Sequence, residues 1–368
     1  MIPVNEPLLT EADFASVMDA LRSGWISGAG PHIEAFESTW AAYCGRKHGI
    51  ALANGTVALQ VAVELLDLQP GDEVIMPTFT IISCALPVVL AGAIPVLVDS
   101  DPHTWTMDVD QVAARITPRT RAIMPVHIYG HPVDMDPLLE LATQHNLRIV
   151  EDAAEAHGAE YRGRRAGSFG ESSTFSFYAN KLLTTGEGGM VLLDDDHLAE
   201  RARRLRNLGF QPGRRFLHHE LGFNYRLTNM QAALGLTQVE RMADIVERKR
   251  QIGQAYTQRL SEVPGLELQV QQPWARGVYW MYGLVLREET GLDADGLARR
   301  LATSGVETRP FFLGMHEQPV LRERGLFAGE RYPVAERIAR QGLYLPSGLG
   351  LQESQIDEIC RKVREVLA

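Results

Sequence analysis

The stretch Leu147-Arg148-Ile149-Val150-Glu151-Asp152-Ala153-Ala154-Glu155-Ala156-His157 begins as a short apolar run, ends on a carboxylate and breaks into small residues. Its length and composition fit a buried strand rather than a helix. Similar runs fall at 73–76, 94–98, 122–126, 174–177 and 190–193, with helix-like segments at 56–66, 137–145 and 197–208. Strands that alternate with helices predict an α/β fold with a mostly parallel central sheet covered on both faces. Sites in such sheets gather beyond the carboxyl ends of the strands. Residues just after these runs therefore carry the functional argument.

Near Thr228 the pattern changes. Thr228 followed by Gln231 reads as a capping box, and apolar residues then recur at Met230, Leu234, Val239, Met242, Ile245, Ile252, Tyr256 and Leu260. This predicts one long amphipathic helix linking two parts. Beyond it a strand is expected at 278–286, with helices at 294–304, 332–341 and 355–367. The expected division is a large domain, 1–240, and a smaller C-terminal α+β domain, 241–368.

The chain has 368 residues, 45% hydrophobic and 22% charged, the balance of an ordinary folded protein. Its net charge of −10 disfavours a nucleic-acid partner, which needs a basic face. Cys44, Cys84 and Cys360 lie far apart and form no CxxC, which fits a reducing cytoplasm. The start, Met-Ile-Pro-Val-Asn-Glu-Pro, lacks a signal peptide's basic and apolar regions. No apolar run reaches the length of a membrane span. GxGxxG after a strand, a Walker loop and HExxH are all missing, which lowers dehydrogenase, kinase and metalloprotease readings.

Asp152 at a strand terminus either caps the next segment or holds a pyridine nitrogen protonated. Lys181, in Ser176-Phe177-Tyr178-Ala179-Asn180-Lys181 before a glycine-rich loop, is either a solvated lysine or an imine-forming amine with a burial-lowered pKa. Gly55 and Thr56 stand where a strand turns into a helix, fit for capping or for a phosphate cradle. Ser176 would add a second hydroxyl. Arg201, Arg203, Arg204, Arg206, Arg214 and Arg215 read as a solvated helix face and loop. His127, His157 and His316 share no metal-ligand spacing, so no metal is expected.

Taken in order, Ala-Asn-Gly55-Thr56-Val-Ala-Leu, Glu-Asp152-Ala-Ala154-Glu155-Ala-His, Ser176-Phe-Tyr-Ala-Asn-Lys181, Gly186-Glu-Gly-Gly and Gly222-Phe-Asn224-Tyr-Arg226 resemble the DegT–DnrJ–StrS group. The likeness runs from Gly24-Trp25-Ile26-Ser27 to the terminal helix. Met124-Pro-Val-His-Ile-Tyr-Gly130 and Arg309-Pro-Phe-Phe with Met315-His316 add to it. The resemblance implies a type I, aspartate-aminotransferase-like fold and a nucleotide-sugar aminotransferase that uses pyridoxal 5′-phosphate. It implies Lys181 as the lysine that carries the cofactor and shuttles the proton. Asp152 is implied as the partner of the ring nitrogen, Ala154 as the residue beneath the ring and Glu155 as the neighbour of the phenolic oxygen. Gly55, Thr56 and Ser176 would hold the phosphate, and Asn224 would reach it from the second subunit of a homodimer. Arg226 and His316 are implied as substrate contacts.

The resemblance also implies glutamate as amino donor and a nucleotide-linked 6-deoxyhexose as acceptor, a GDP-linked 4-keto sugar first, with a product destined for surface polysaccharide. A related branch that dehydrates sugars carries histidine in place of the lysine, and Lys181 argues against it. One departure stands out: relatives usually place an aromatic residue over the ring, whereas Pro77-Thr78-Phe79-Thr80 here leads into Ile81. Either Ile81 covers the ring by apolar contact, or Phe79 leans in.

Overall fold

The computed structural model describes residues 1–211 and 213–367, without the side chain of Arg215. A seven-stranded sheet forms its centre: β1 (His48–Leu52), β2 (Glu73–Pro77), β3 (Ile94–Val98), β4 (Thr120–Ile123), β5 (Arg148–Asp152), β6 (Ser172–Ser176) and β7 (Gly189–Leu193). Their spatial order is β1-β7-β6-β5-β4-β2-β3. The four pairs from β6 to β3 are parallel, and β7 runs antiparallel to both β1 and β6. The expected strand at 122–126 ends earlier, because Pro125 has no N–H and the chain turns at His127.

Helices α1 (Glu11–Ser23), α2 (Pro31–Cys44), α3 (Gly55–Glu64), α4 (Ala85–Leu90), α5 (Met135–His145) and α6 (Asp196–Arg206) accompany the sheet. Apolar faces of α2, α3 and the sheet merge into one buried cluster that includes Phe36, Trp40, Leu59, Phe175 and Phe177. A second cluster lies on the other face, around Ile75, Val98, Ile123, Leu138 and Ile149. Strands buried on both sides explain why most of the runs read as apolar, while β6, Ser172-Ser-Thr-Phe-Ser176, is buried although mostly hydroxylic.

The capping box at Thr228 is present: Thr228 Oγ1 accepts from Gln231 N–H at 3.3 Å, and Gln231 Oε1 accepts from Thr228 N–H at 3.0 Å. The helix it starts is not continuous. It breaks at Glu240-Arg241 into α7 (Asn229–Val239) and α8 (Met242–Leu260). Arg241 leaves helical geometry at this break while its guanidinium donates to the buried Asp13 carboxylate at 2.6 Å. A four-stranded sheet follows, β8 (Leu266–Leu268), β9 (Tyr282–Leu286), β10 (Arg309–Pro310) and β11 (Gly342–Leu345), in the order β8-β9-β11-β10. Helices α9 (Ala294–Thr303), α10 (Pro333–Gln341) and α11 (Glu353–Leu367) complete the chain. The first residues cross to this part: Ile2 pairs with Val306, and Ser347 N–H donates to Val4 C=O at 3.0 Å.

Candidate active site

Register brings the separated motifs together. Leu52, Gly189 and Ser176 lie side by side across β1, β7 and β6, while Asp152 pairs with Thr174 across β5 and β6. The loops leaving Leu52, Asp152 and Ser176 therefore open at one sheet end. Asn54, not Thr56, caps α3, its side chain accepting from Val57 N–H at 3.0 Å. Thr56 is thus left free to share a 2.8 Å hydrogen bond with Ser83, a residue the sequence reading missed. A Cβ on Gly55 would stand 2.7 Å from the Ser176 Cβ, so only glycine lets this helix start approach β6 so closely. Three hydroxyls and a helix N-terminus in this arrangement suit a phosphate.

The Asp152 carboxylate is buried and held at both oxygens. Oδ1 accepts from Ala154 N–H at 3.0 Å, and Oδ2 accepts from the Cys84 thiol at 3.1 Å. Local capping and a posture fixed by a second element therefore coexist. On the turn ahead of α4, Ile81 is 45% exposed, whereas Phe79 is buried against Tyr129, Phe311 and Phe312. Of the two residues considered for covering a ring, only Ile81 faces outward. Ala154 is half-buried beside Asp152.

Lys181 is the central amine. Its Nζ lies 3.8 Å from Glu155 Oε1 and 3.7 Å from the centroid of the Trp280 ring. Burial pushes this amine below the ordinary lysine range, opposed by the Glu155 and Asp152 charges. Burial likewise pushes the Glu155 carboxyl up, opposed chiefly by Lys181. The lysine loop is fastened from α7, where Gln238 accepts from Thr184 N–H at 3.1 Å and donates to Thr184 C=O at 2.8 Å. A buried amine of lowered pKa, a fixed carboxylate and a phosphate cradle fit a pyridine aldehyde with a phosphate arm. Lys181 would carry the aldehyde carbon and Asp152 the ring nitrogen.

Other candidates fall elsewhere. Asn224 is exposed on a segment that runs beside the end of β1, where Ala53 N–H donates to Tyr225 C=O at 2.8 Å. Arg226 donates to Asn207 at 2.9 Å and lines a cavity of about 620 Å³ with Ser27, Gln211 and Arg214. His316 is corrected. It is 1% exposed, and its ring nitrogens bond Thr78 at 2.8 Å and Glu336 at 3.3 Å, a structural tie that leaves nothing for a substrate. The arginine run is less solvated than expected, since Arg201 and Arg204 pair with Glu220 and Arg206 with Glu37. The Arg215 side chain lies outside the described residues. Among those residues no cluster of His, Cys, Asp or Glu is arranged to hold a metal, and no helix is long and apolar enough to cross a membrane.

Comparison with known proteins agrees with this geometry. Residues 7–364 match the model of the DegT/DnrJ/EryC1/StrS aminotransferase family. GDP-perosamine synthase of Caulobacter vibrioides is 44% identical, covering 100% of this chain and 98% of its own. The dTDP-3-amino-3,4,6-trideoxy-alpha-D-glucose transaminase of Streptomyces venezuelae is 40% identical, covering 97% and 91%. Among solved structures, the aminotransferase TlmJ from Streptoalloteichus hindustanus superposes with a TM-score of 0.93 at 33% identity, covering 100% of this chain and 99% of that one. The fold is thus the type I aminotransferase fold, and the cofactor of this enzyme class is pyridoxal 5′-phosphate. With Lys181, Asp152 and the hydroxyl cradle at one sheet end, the chain belongs to the DegT/DnrJ/EryC1/StrS aminotransferase family.

Proposed function

We propose that this enzyme moves an amino group from glutamate to the C4 keto group of a nucleotide-linked 6-deoxyhexose, converting GDP-4-keto-6-deoxymannose to GDP-perosamine. The observation that carries the chemistry is the buried Lys181 amine 3.8 Å from Glu155, on the loop after the strand beside Asp152. Full-length likeness to a GDP-perosamine synthase supports the sugar. Likeness to a dTDP-sugar transaminase supports the second reading, 3- or 4-amination of a dTDP- or UDP-linked keto sugar.

When bound, pyridoxal phosphate supplies an aldehyde for imine exchange and a ring that accepts negative charge. The chain supplies the rest. Asp152, its carboxylate held by Ala154 N–H and the Cys84 thiol, would keep a positive charge on the ring nitrogen. Gly55, Thr56, Ser176 and Ser83 would hold its phosphate, Ala154 and Ile81 would contact its ring, and Glu155 would serve its phenolic oxygen. Lys181 would hold the group through its aldehyde and, once free, would serve as the base that moves a proton between the reacting carbons, help worth ~10²–10⁴-fold. Arg226 meets the substrate.

Asn224 completes the phosphate site of a second copy, so the working form is a homodimer. Phe14, Met18 and Leu21 of α1 with Trp25 and Ile26 leave an apolar surface that a second copy would cover. A cytoplasmic setting and the division into a cofactor-binding part, 1–240, and a smaller part, 241–368, belong to the same reading. The test is product analysis by mass spectrometry and NMR across GDP-, UDP- and dTDP-linked keto sugars, with glutamate supplied. A 4-amino GDP sugar is expected. Amination confined to dTDP or UDP sugars would move the assignment to the second reading, and a deoxygenated product would overturn both.

A further inference from the structure

We propose that Trp280 and Glu155 form a seat for the Lys181 amine whenever it is free of the cofactor, with Tyr129 and Gly130 setting the spacing of the two walls. This rests on the aminotransfer reading, in which Lys181 is released and must then stay within reach of the reacting carbons.

The seat is built from several independent contacts. Nζ lies over the indole face at 3.7 Å and beside the carboxylate at 3.8 Å, so two separate groups attract an ammonium. The indole N–H donates to Asn180 C=O at 2.9 Å, tying the same ring to the residue before the lysine. Tyr129 joins the walls through its backbone. Its N–H donates to Glu155 Oε2 at 2.7 Å, and its C=O accepts from Trp280 N–H at 3.1 Å. To do both, Tyr129 takes a left-handed φ of 50°, a conformation costly for a side-chain residue. Its ring stacks on Trp280 with an interplanar angle of 13°.

Gly130 follows at φ 83°, and a Cβ there would stand 2.7 Å from Val278, 2.9 Å from Trp280 N and 3.0 Å from Glu155 O. Any other residue would wedge the walls apart. The turn Ile128–Gly130 thus has a use that its strand-end position alone does not explain. The ionisable groups acting on the amine besides Glu155 are Asp152, which favours its charge, and His157, which burial keeps neutral.

Trp280 is on this view a positioning residue. An amine held here is ready to be neutral when it accepts a proton and is steadied once charged. Loss of one aromatic wall should weaken proton binding at Lys181 by about 2- to 30-fold, the range of a cation–π contact in exposed and desolvated settings.

The experiment uses the full-length enzyme converted by excess glutamate to the aminated-cofactor form, in which Lys181 is free. Labelling of Lys181 by an amine-reactive reagent is followed by mass spectrometry across pH. Trp280→Leu should move the labelling midpoint to lower pH by that factor, Trp280→Phe by less, and Glu155→Gln in the same direction. Borohydride reduction of the glutamate-free enzymes is run in parallel. If Trp280→Phe and Trp280→Leu keep the reduced Lys181 adduct and the wild-type midpoint, the seat is refuted while the aminotransfer reading stands. If wild-type enzyme forms no adduct at Lys181, the reading itself fails.

Discussion

Among the described residues Lys249 is buried and Lys181 nearly so, and both line one small cavity with Gln238. Lys181 stands on a loop beyond the sheet, against Glu155 and Trp280. Lys249 stands inside α8, donates to Ser347 C=O, and meets no carboxylate among the described residues. Burial alone pushes the Lys249 amine down to about 7, so its ease of deprotonation at neutral pH resembles that of a catalytic amine. The difference is access and company. Lys249 ties α8 to the segment that also holds Val4, a structural duty. Lys181 has one acid, Glu155, to hold its proton, and the charge of a second, Asp152, acts on it as well. A lowered pKa therefore does not identify a catalytic lysine; the groups facing it do.

The largest effect that would break this contrast is at the two amines themselves. Lys181→Ala should abolish turnover and the borohydride adduct, while Lys249→Met should keep the adduct and a kcat within about threefold of wild type; steady-state kinetics and peptide mass spectrometry check both. Next comes the acid. Asp152→Asn removes the charge opposite the ring nitrogen, and kcat should fall by ~10²-fold or more with smaller change in KM.

Stability against pH sharpens the comparison from the other side. Between about 7 and about 10 the unfolded chain binds a proton at Lys249 that the folded chain does not, so this group makes stability rise with pH across that window. The gain is on the order of 4 kcal/mol. Lys249→Met should lose this slope, and denaturant midpoints of the two proteins at pH 7 and pH 10 measure it. The smallest effects are expected where the framework is merely trimmed. Gln238→Ala would strand Thr184 N–H and C=O, costing about 1–3 kcal/mol, and Asn54→Ala would uncap α3 for about 1 kcal/mol. Both should weaken cofactor binding more than they change kcat, as equilibrium dialysis would show.

Much of the molecule was legible in the residues. Periodicity decided the α/β class and six of the seven central strands, since strands buried on both faces are mostly apolar and helices carry a stripe. Residue chemistry left two readings each for Asp152 and Lys181, and it was the ordered set of motifs resembling one family that singled them out. The capping box at Thr228 was equally local, and it was found where expected.

Only tertiary structure decided what depends on who arrives from elsewhere in the chain. The break at Arg241 coincides with its bond to Asp13 in α1, a contact 228 positions away in sequence that no helical pattern encodes. His316 and Phe79 carry suitable chemistry for a site, yet packing turned both inward and left Ile81 facing out. Ser83, Cys84, Tyr129 and Trp280 escaped the sequence reading because each acts through a partner some 25 to 100 positions away: Thr56, Asp152, Glu155 and Lys181. Short-range patterns record the backbone's own preferences and the side of an element that seeks cover. Which side chains then face one another is set by the register of the sheet and the close approaches that Gly55 and Gly130 allow.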